Sequence, residues 1–321
     1  MTQPQSHQPL PVESALTGSA AKATAADTAA ASAMASLRQS DATFSNGSRR
    51  SLNQLQPLAR QPSHTHIDTG GRSFPKINLL GIEVDNVSRI ELLSTLKRGV
   101  VFTPNVDHIM KLRRDRDFFL VYQTADYKVC DSQILIYAAK FLGKPLKAKL
   151  SGSDLFPWFC DYHRYNDGIK IFLLGGAVGV ASEARRRINS RIGREIVVGE
   201  YSPPYGFEQD PLECQKIIRM IERSPANVVA VCLGAPKQEK WIATYRNALP
   251  SIDIFMAIGA TVDFEAGMKP RAPKFASEIG LEWLYRLLSE PKRLWRRYLL
   301  DGFPFIALVL SEKLRQLRIS K

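Results

Sequence analysis

Four short runs of mostly consecutive apolar residues, 100–103, 170–174, 227–233 and 252–258, limit what this chain can become. Successive apolar positions suit strands buried on both faces, because a strand with one face in water alternates instead. Between them, 180–192, 211–224 and 237–248 place aliphatics at three- and four-residue spacing among Arg, Lys and Glu, the pattern of helices with one buried face. The alternation predicts an α/β fold, a doubly wound, Rossmann-like, mainly parallel sheet over residues 76–268. Ligands of such sheets sit at the carboxyl ends of the strands, where the loops gather. The unusual residues of this chain fall there. Thr103-Pro104-Asn105 follows the first run, Gly175-Gly176 the second, Gly234 to Glu239 the third and Gly259 to Asp263 the fourth.

The flanks read differently. Residues 1–75 are rich in Ala, Ser, Thr, Gln and Pro and poor in large apolar side chains, so burial cannot offset their ordering entropy and a disordered tail is expected. The first ten residues carry Gln, Ser, His and Pro where an export signal needs an unbroken apolar run, which predicts a cytoplasmic protein. Cys130, Cys160, Cys214 and Cys232 form no C-x-x-C pair, against both a disulfide framework and a zinc site.

The formal net charge is +13, and residues 268–321 alone hold twelve Lys/Arg against five Asp/Glu. A nucleic-acid partner would call for a binding module, and none is visible. Here the charge is interleaved with Trp, Tyr, Phe and Leu, which suits the surface of an anionic membrane, while the apolar run 299–310 is too short to span one. Residues 269–321 are therefore expected to form a basic amphipathic helical appendage, peripheral at the inner face of the cell membrane. Its apolar surface also suits a homo-oligomer contact. With the sheet complete before it, a cut after Lys274 is expected to leave a folded domain.

Local motifs leave alternatives open. Gly175-Gly176-Ala177-Val178-Gly179 joins a strand to a helix, so its amides suit a phosphate, yet a tight turn explains the glycines equally. It falls short of G-x-G-x-x-G and no downstream acid is placed for a ribose, which weighs against a nucleotide-sugar oxidoreductase, the main alternative. In Gly234-Ala235-Pro236-Lys237-Gln238-Glu239, the Pro and Glu are ordinary helix-start residues, whereas Lys237 and Gln238 offer donors where a diphosphate would lie. Asp131 reads either as a helix cap or as a general base. His108 and His163 have no evident partners. No D-x-D stands at a strand end to hold a metal.

The series resembles the WecG/TagA/CpsF family, glycosyltransferase family 26, from about Ile77 to Tyr298. The resemblance rests on the order and spacing of Thr103-Pro104-Asn105, Asp131, Gly152-Ser153-Asp154, Leu174-Gly175-Gly176, Gly234-x-Pro236-Lys237-Gln238-Glu239, Gly259-Ala260-x-x-Asp263, Gly267, Arg271-Ala272-Pro273 and Glu282-Trp283-x-x-Arg286. It implies inverting transfer of a sugar from a UDP-sugar to an undecaprenyl-diphosphate-linked saccharide, in teichoic acid, common antigen, capsule or exopolysaccharide assembly, with no cofactor and no metal. On this resemblance Asp131 takes the catalytic-base position. Thr103 and Asn105 line the pocket, Gln238 belongs to the nucleotide-sugar site, and Arg286, Arg293 and Arg296 engage diphosphate from the appendage. Gly176, Lys237, Glu239 and Asp263 complete the expected substrate-binding set. Where the family follows its aspartate with Gly and a second Gly two positions later, this chain has Ser132-Gln133-Ile134, which stiffens that loop. The donor sugars implied are N-acetylmannosamine, its uronic acid or glucose.

Overall fold

The structure, a computed structural model, describes residues 74–270, Tyr285 and 291–319, with side chains in the last segment from 302 onward. The tail up to residue 73, Arg271 to Pro273, Glu282-Trp283 and Arg286 lie outside the described residues, as do the side chains of Arg293 and Arg296.

The chain enters as an antiparallel hairpin, β1 (Lys76–Leu79) and β2 (Ile82–Asp85). Six strands then form one wholly parallel sheet: β3 (Gly99–Phe102), β4 (Tyr127–Lys128), β5 (Ile171–Gly175), β6 (Val197–Tyr201), β7 (Val228–Cys232) and β8 (Ile254–Ala257), in the order β4-β3-β8-β7-β5-β6. The helices are α1 (Arg89–Thr95), α2 (Val106–Leu112), α3 (Arg116–Gln123), α4 (Gln133–Phe141), α5 (Gly152–Tyr162), α6 (Val180–Ile192), α7 (Pro211–Arg223), α8 (Lys237–Tyr245), α9 (Thr261–Glu265) and α10 (Pro291–Ile319).

Their starts follow from sequence chemistry. Ser88, Asn105, Asp115, Ser132, Ser151 and Asp210 each accept a backbone N–H in the first turn of the helix they precede, satisfying a donor the helix itself leaves open. Pro211, which has no N–H to lose, opens α7.

Two buried clusters cover the two faces of the sheet. β7 shows the division: Val229 and Val231 point into one cluster, with Ile109 of α2, Phe118 of α3, Leu135 of α4, Ile217 of α7 and Trp241 of α8. Val228, Ala230 and Cys232 point into the other, with Leu92 of α1, Phe156 of α5, Ile188 of α6 and Val262 of α9. All five residues of β7 are buried, as the unbroken apolar run predicts. The doubly wound parallel sheet is thus present.

Some elements carried no comparable signal. β6 lies at an edge with only Val197 buried, so its sequence lacks an apolar run. The hairpin docks through a side chain: the Lys128 N–H at the end of the short edge strand donates to Asp85 Oδ2 at 2.7 Å. α10 is not solely a surface element. Phe305 and Val309 are buried in the same cluster as α2, so a cut after Lys274 would strip apolar cover from the core.

Candidate active site

β3 and β8 are hydrogen-bonded neighbours, yet the helix after β3, α2, packs on one face and the helix after β8, α9, on the other. In a doubly wound sheet the ligand crevice forms where neighbouring strands send their helices to opposite faces, which makes these strand ends the candidate site. Thr103, Asn105 and Asp131 stand on one side of it, and the loops after β7 and β8 on the other.

Short bonds hold the rim loops to one another. Thr103 Oγ1 donates to the carbonyl of Ala257 at the end of β8, at 3.4 Å. The Asp131 N–H donates to the carbonyl of Pro104 at 2.8 Å, fixing the β4 loop on the β3 loop. Lys111 Nζ, on α2, donates to Asp107 Oδ2 at 2.9 Å and to the carbonyl of Ala235 at 3.0 Å, tying α2 to the β7 loop. Such cross-bracing orients the rim before any ligand arrives, the condition for electrostatic stabilisation without reorganisation.

Asp131 is half-buried and directly precedes Ser132. Ser132 supplies the cap of α4, its Oγ accepting from the Leu135 N–H at 3.4 Å, so the capping role open to Asp131 in the sequence is filled by its neighbour. Asn105 caps α2, accepting from the His108 N–H at 3.1 Å. The buried Tyr122 hydroxyl lies 2.8 Å from His108 Nδ1. Burial, then the nearby carboxylates of Glu239 and Asp131, hold that hydroxyl well above its usual titration range. His108 therefore has a partner, fourteen residues away, that no sequence spacing announces.

Across the crevice, Gln238 and Glu239 are buried, at 3% and 0% exposure. Gln238 Oε1 accepts from the Gly234 N–H at 3.2 Å and the Gly259 N–H at 3.0 Å, and Nε2 donates to Glu239 Oε1 at 2.8 Å. Lys237 is more exposed, pairing with Glu208 and lying over the Tyr205 ring at 4.5 Å. Asp263 Oδ2 meets Lys269 Nζ at 3.1 Å, and its carbonyl accepts from the Met268 N–H to close the turn at Gly267.

At the β5 end, Gly175 and Gly176 have φ of 124° and 80°, a region that favours glycine. A Cβ on Gly175 would lie 2.7 Å from the backbone carbon of Cys232, so only glycine lets β5 lie this close to β7 there. The thiols of Cys130 and Cys232 are pushed up to about 12 by burial, which leaves them unreactive. Among the described residues, no three of His, Cys, Asp and Glu gather as a metal site.

The structure thus brings Thr103, Asn105, Asp131, Gly176, Lys237 and Asp263 to one end of the sheet, and sets Gln238 and Glu239 in its interior. Asp107 and Lys111 were not expected from the sequence. Their signal was available, since an acid and a lysine four apart on a helix face each other.

A family model described as Glycosyl transferase WecG/TagA/CpsF family matches residues 77–319, three-quarters of the chain. The chain belongs to the WecG/TagA/CpsF family. It is accordingly a glycosyltransferase. A protein of Staphylococcus aureus (strain MRSA252) named N-acetylglucosaminyldiphosphoundecaprenol N-acetyl-beta-D-mannosaminyltransferase is 25% identical over 255 residues, 77% of this chain and 96% of that protein. Another of the same name, from strain MW2, is 24% identical over the same coverage. The WecG/TagA/CpsF match takes in the sheet, the crevice and α10.

Proposed function

We propose that this enzyme transfers a sugar from a UDP-sugar to a polyprenyl-diphosphate-linked saccharide, with inversion at the sugar carbon. The observation that carries the reading is the strand-end site beside β3 and β8, where a half-buried carboxylate, Asp131, shares one end of the sheet with the glycine-bearing loops after β5, β7 and β8. The relatives' names, which join an N-acetylmannosaminyl donor to a diphosphoundecaprenol acceptor, support the same pairing and favour N-acetylmannosamine among the three donors.

In this reading the acceptor hydroxyl attacks the anomeric carbon from the side opposite UDP. Asp131 takes the hydroxyl proton, the bond to the β-phosphate oxygen breaks, and UDP departs as the anion. Thr103 and Asn105 line the reacting centre, while Gly176, Lys237 and Asp263 border the nucleotide. Arg286, Arg293 and Arg296 neutralise the leaving diphosphate, since guanidinium forks match phosphate oxygens two at a time.

The same reading places α10 on the membrane. Phe303, Ile306, Leu310, Leu314 and Leu317 form an exposed apolar stripe opposite the buried Phe305 and Val309. No described helix is long and apolar enough to cross a bilayer. An apolar stripe with Lys/Arg around it lies in the headgroup layer and brings the crevice to a lipid-linked acceptor.

The test is UDP release measured with UDP-N-acetylmannosamine, its uronic acid analogue and UDP-glucose, with and without a polyprenyl-diphosphate-linked N-acetylglucosamine. Acceptor-dependent release from one donor is the expected outcome. Release that ignores the acceptor, or none with any donor, would overturn the reading.

A further inference from the structure

We propose that Glu239 is a positioning residue: it holds the Gln238 side chain as a clamp between the loops after β7 and β8, and so fixes how these two loops lie against each other along one wall of the site. This rests on the transferase reading only where it concerns turnover, since the clamp itself is a matter of geometry.

Gln238 is the first link. Its one carbonyl oxygen accepts two backbone donors from two different loops, Gly234 N and Gly259 N, at 3.2 and 3.0 Å. Both glycines have positive φ, 78° and 57°, so each loop turns sharply where the clamp grips it. A carboxamide that accepts through oxygen must still find an acceptor for its NH₂ group when it is buried, because an unmade donor in the interior costs nearly its full hydration. Glu239 Oε1, at 2.8 Å, is that acceptor.

Glu239 is costly for the fold to keep. The side chain is fully enclosed, and its second oxygen, Oε2, has no hydrogen-bond partner among the described residues. An apolar residue of this size would fill the same space without that penalty. The acid stands at the point where it completes Gln238, and the compensation comes from α2. The Lys111 ammonium, held by Asp107 and the Ala235 carbonyl, acts on Glu239 from the neighbouring helix. Lys111 thus grips the β7 loop while stabilising the residue that orients the clamp on it. Without Glu239, the Gln238 NH₂ group would be buried unmet, and turning toward water would release both loop amides.

The experiment compares Glu239→Met, Glu239→Gln and Gln238→Ala in the full-length chain, by hydrogen exchange of the peptides spanning 233–239 and 257–261, by melting temperature, and by steady-state kinetics. Glu239→Met keeps the volume and removes the acceptor. It should melt near the wild type yet exchange faster in both peptides, with kcat/KM for the UDP-sugar lower by about ten- to a hundredfold, carried mainly by KM. Glu239→Gln still offers an oxygen to Gln238, so protection should return and kcat/KM should recover most of the loss. In the Gln238→Ala background, Glu239→Met should add little, because the two residues act as one unit. Wild-type exchange in Glu239→Met would overturn the clamp. Restored protection in Glu239→Gln with turnover as low as in Glu239→Met would overturn positioning in favour of a direct role for the carboxylate. Failure of the wild type to release UDP would strike the transferase reading alone, since exchange needs no substrate.

Discussion

Asp131 and Glu239 are both carboxylates at the carboxyl end of the sheet, and their surroundings separate them. Asp131 is half-buried on the rim, and the capping duty is taken by Ser132. Removing only its basicity should therefore cost turnover: Asp131→Asn is expected to keep the fold and UDP affinity while lowering kcat by roughly 10²- to 10⁴-fold. Unchanged turnover would return the base to another residue of the rim. Glu239 predicts a signature in stability. Burial, opposed by the Gln238 hydrogen bond and the Lys111 ammonium, raises its carboxyl from 4.5 to about 7. The native state then binds more protons than the unfolded chain across that window, so stability falls as pH rises from about 4.5 through about 7, by roughly 3 kcal/mol for the full window. Glu239→Gln cannot titrate. In urea denaturation it should gain on the wild type between about pH 5 and about pH 7.5, and parallel profiles would show an ordinary carboxylate.

Among the elements, α10 has two faces with different duties. Phe305 and Val309 close the core beside α2, whereas Phe303, Ile306 and Leu310 are exposed on the other side. Phe305→Ala should lower stability by about 3–5 kcal/mol, the cost of truncating a buried aromatic. Replacing Phe303, Ile306 and Leu310 together with Ser should leave the melting temperature nearly unchanged, because exposed sites contribute little. The same triple variant should lose binding to vesicles containing anionic lipid in a sedimentation assay. Retained binding would move the membrane contact off α10. Because Phe305 and Val309 belong to the core, removing α10 should itself lower stability.

For the molecule as a whole, the distribution of charge matters more than its sum. Over half of the +13 lies in residues 268–321, while the sheet domain pairs most of its cations with nearby carboxylates, as in the Arg185, Arg186, Arg187 and Arg191 ion pairs of α6. The excess positive charge is thereby left on the segment proposed to meet anionic lipid and diphosphate. If the arginines neutralise the leaving group as proposed, transfer should proceed in EDTA at close to its rate in magnesium. A strict requirement for magnesium or manganese would show that a cation, not the arginines, carries that charge.

The apolar runs, the helical spacings and the Gly-rich strand ends were legible in the sequence because each depends on neighbours a few residues away. They determined the parallel sheet, the ends at which loops gather, and the rim positions of Thr103, Asp131 and Gly176. What lay hidden depends on contacts between distant segments. The motif around Lys237, Gln238 and Glu239 reads as three equivalent polar residues, yet packing from α2 and α3 leaves Lys237 accessible and buries the other two. The Tyr122–His108 pair, the docking of the hairpin by Asp85 and the core face of α10 are hidden for the same reason. Water is excluded from a side chain by whatever the rest of the chain lays over it, and only the tertiary structure decides that.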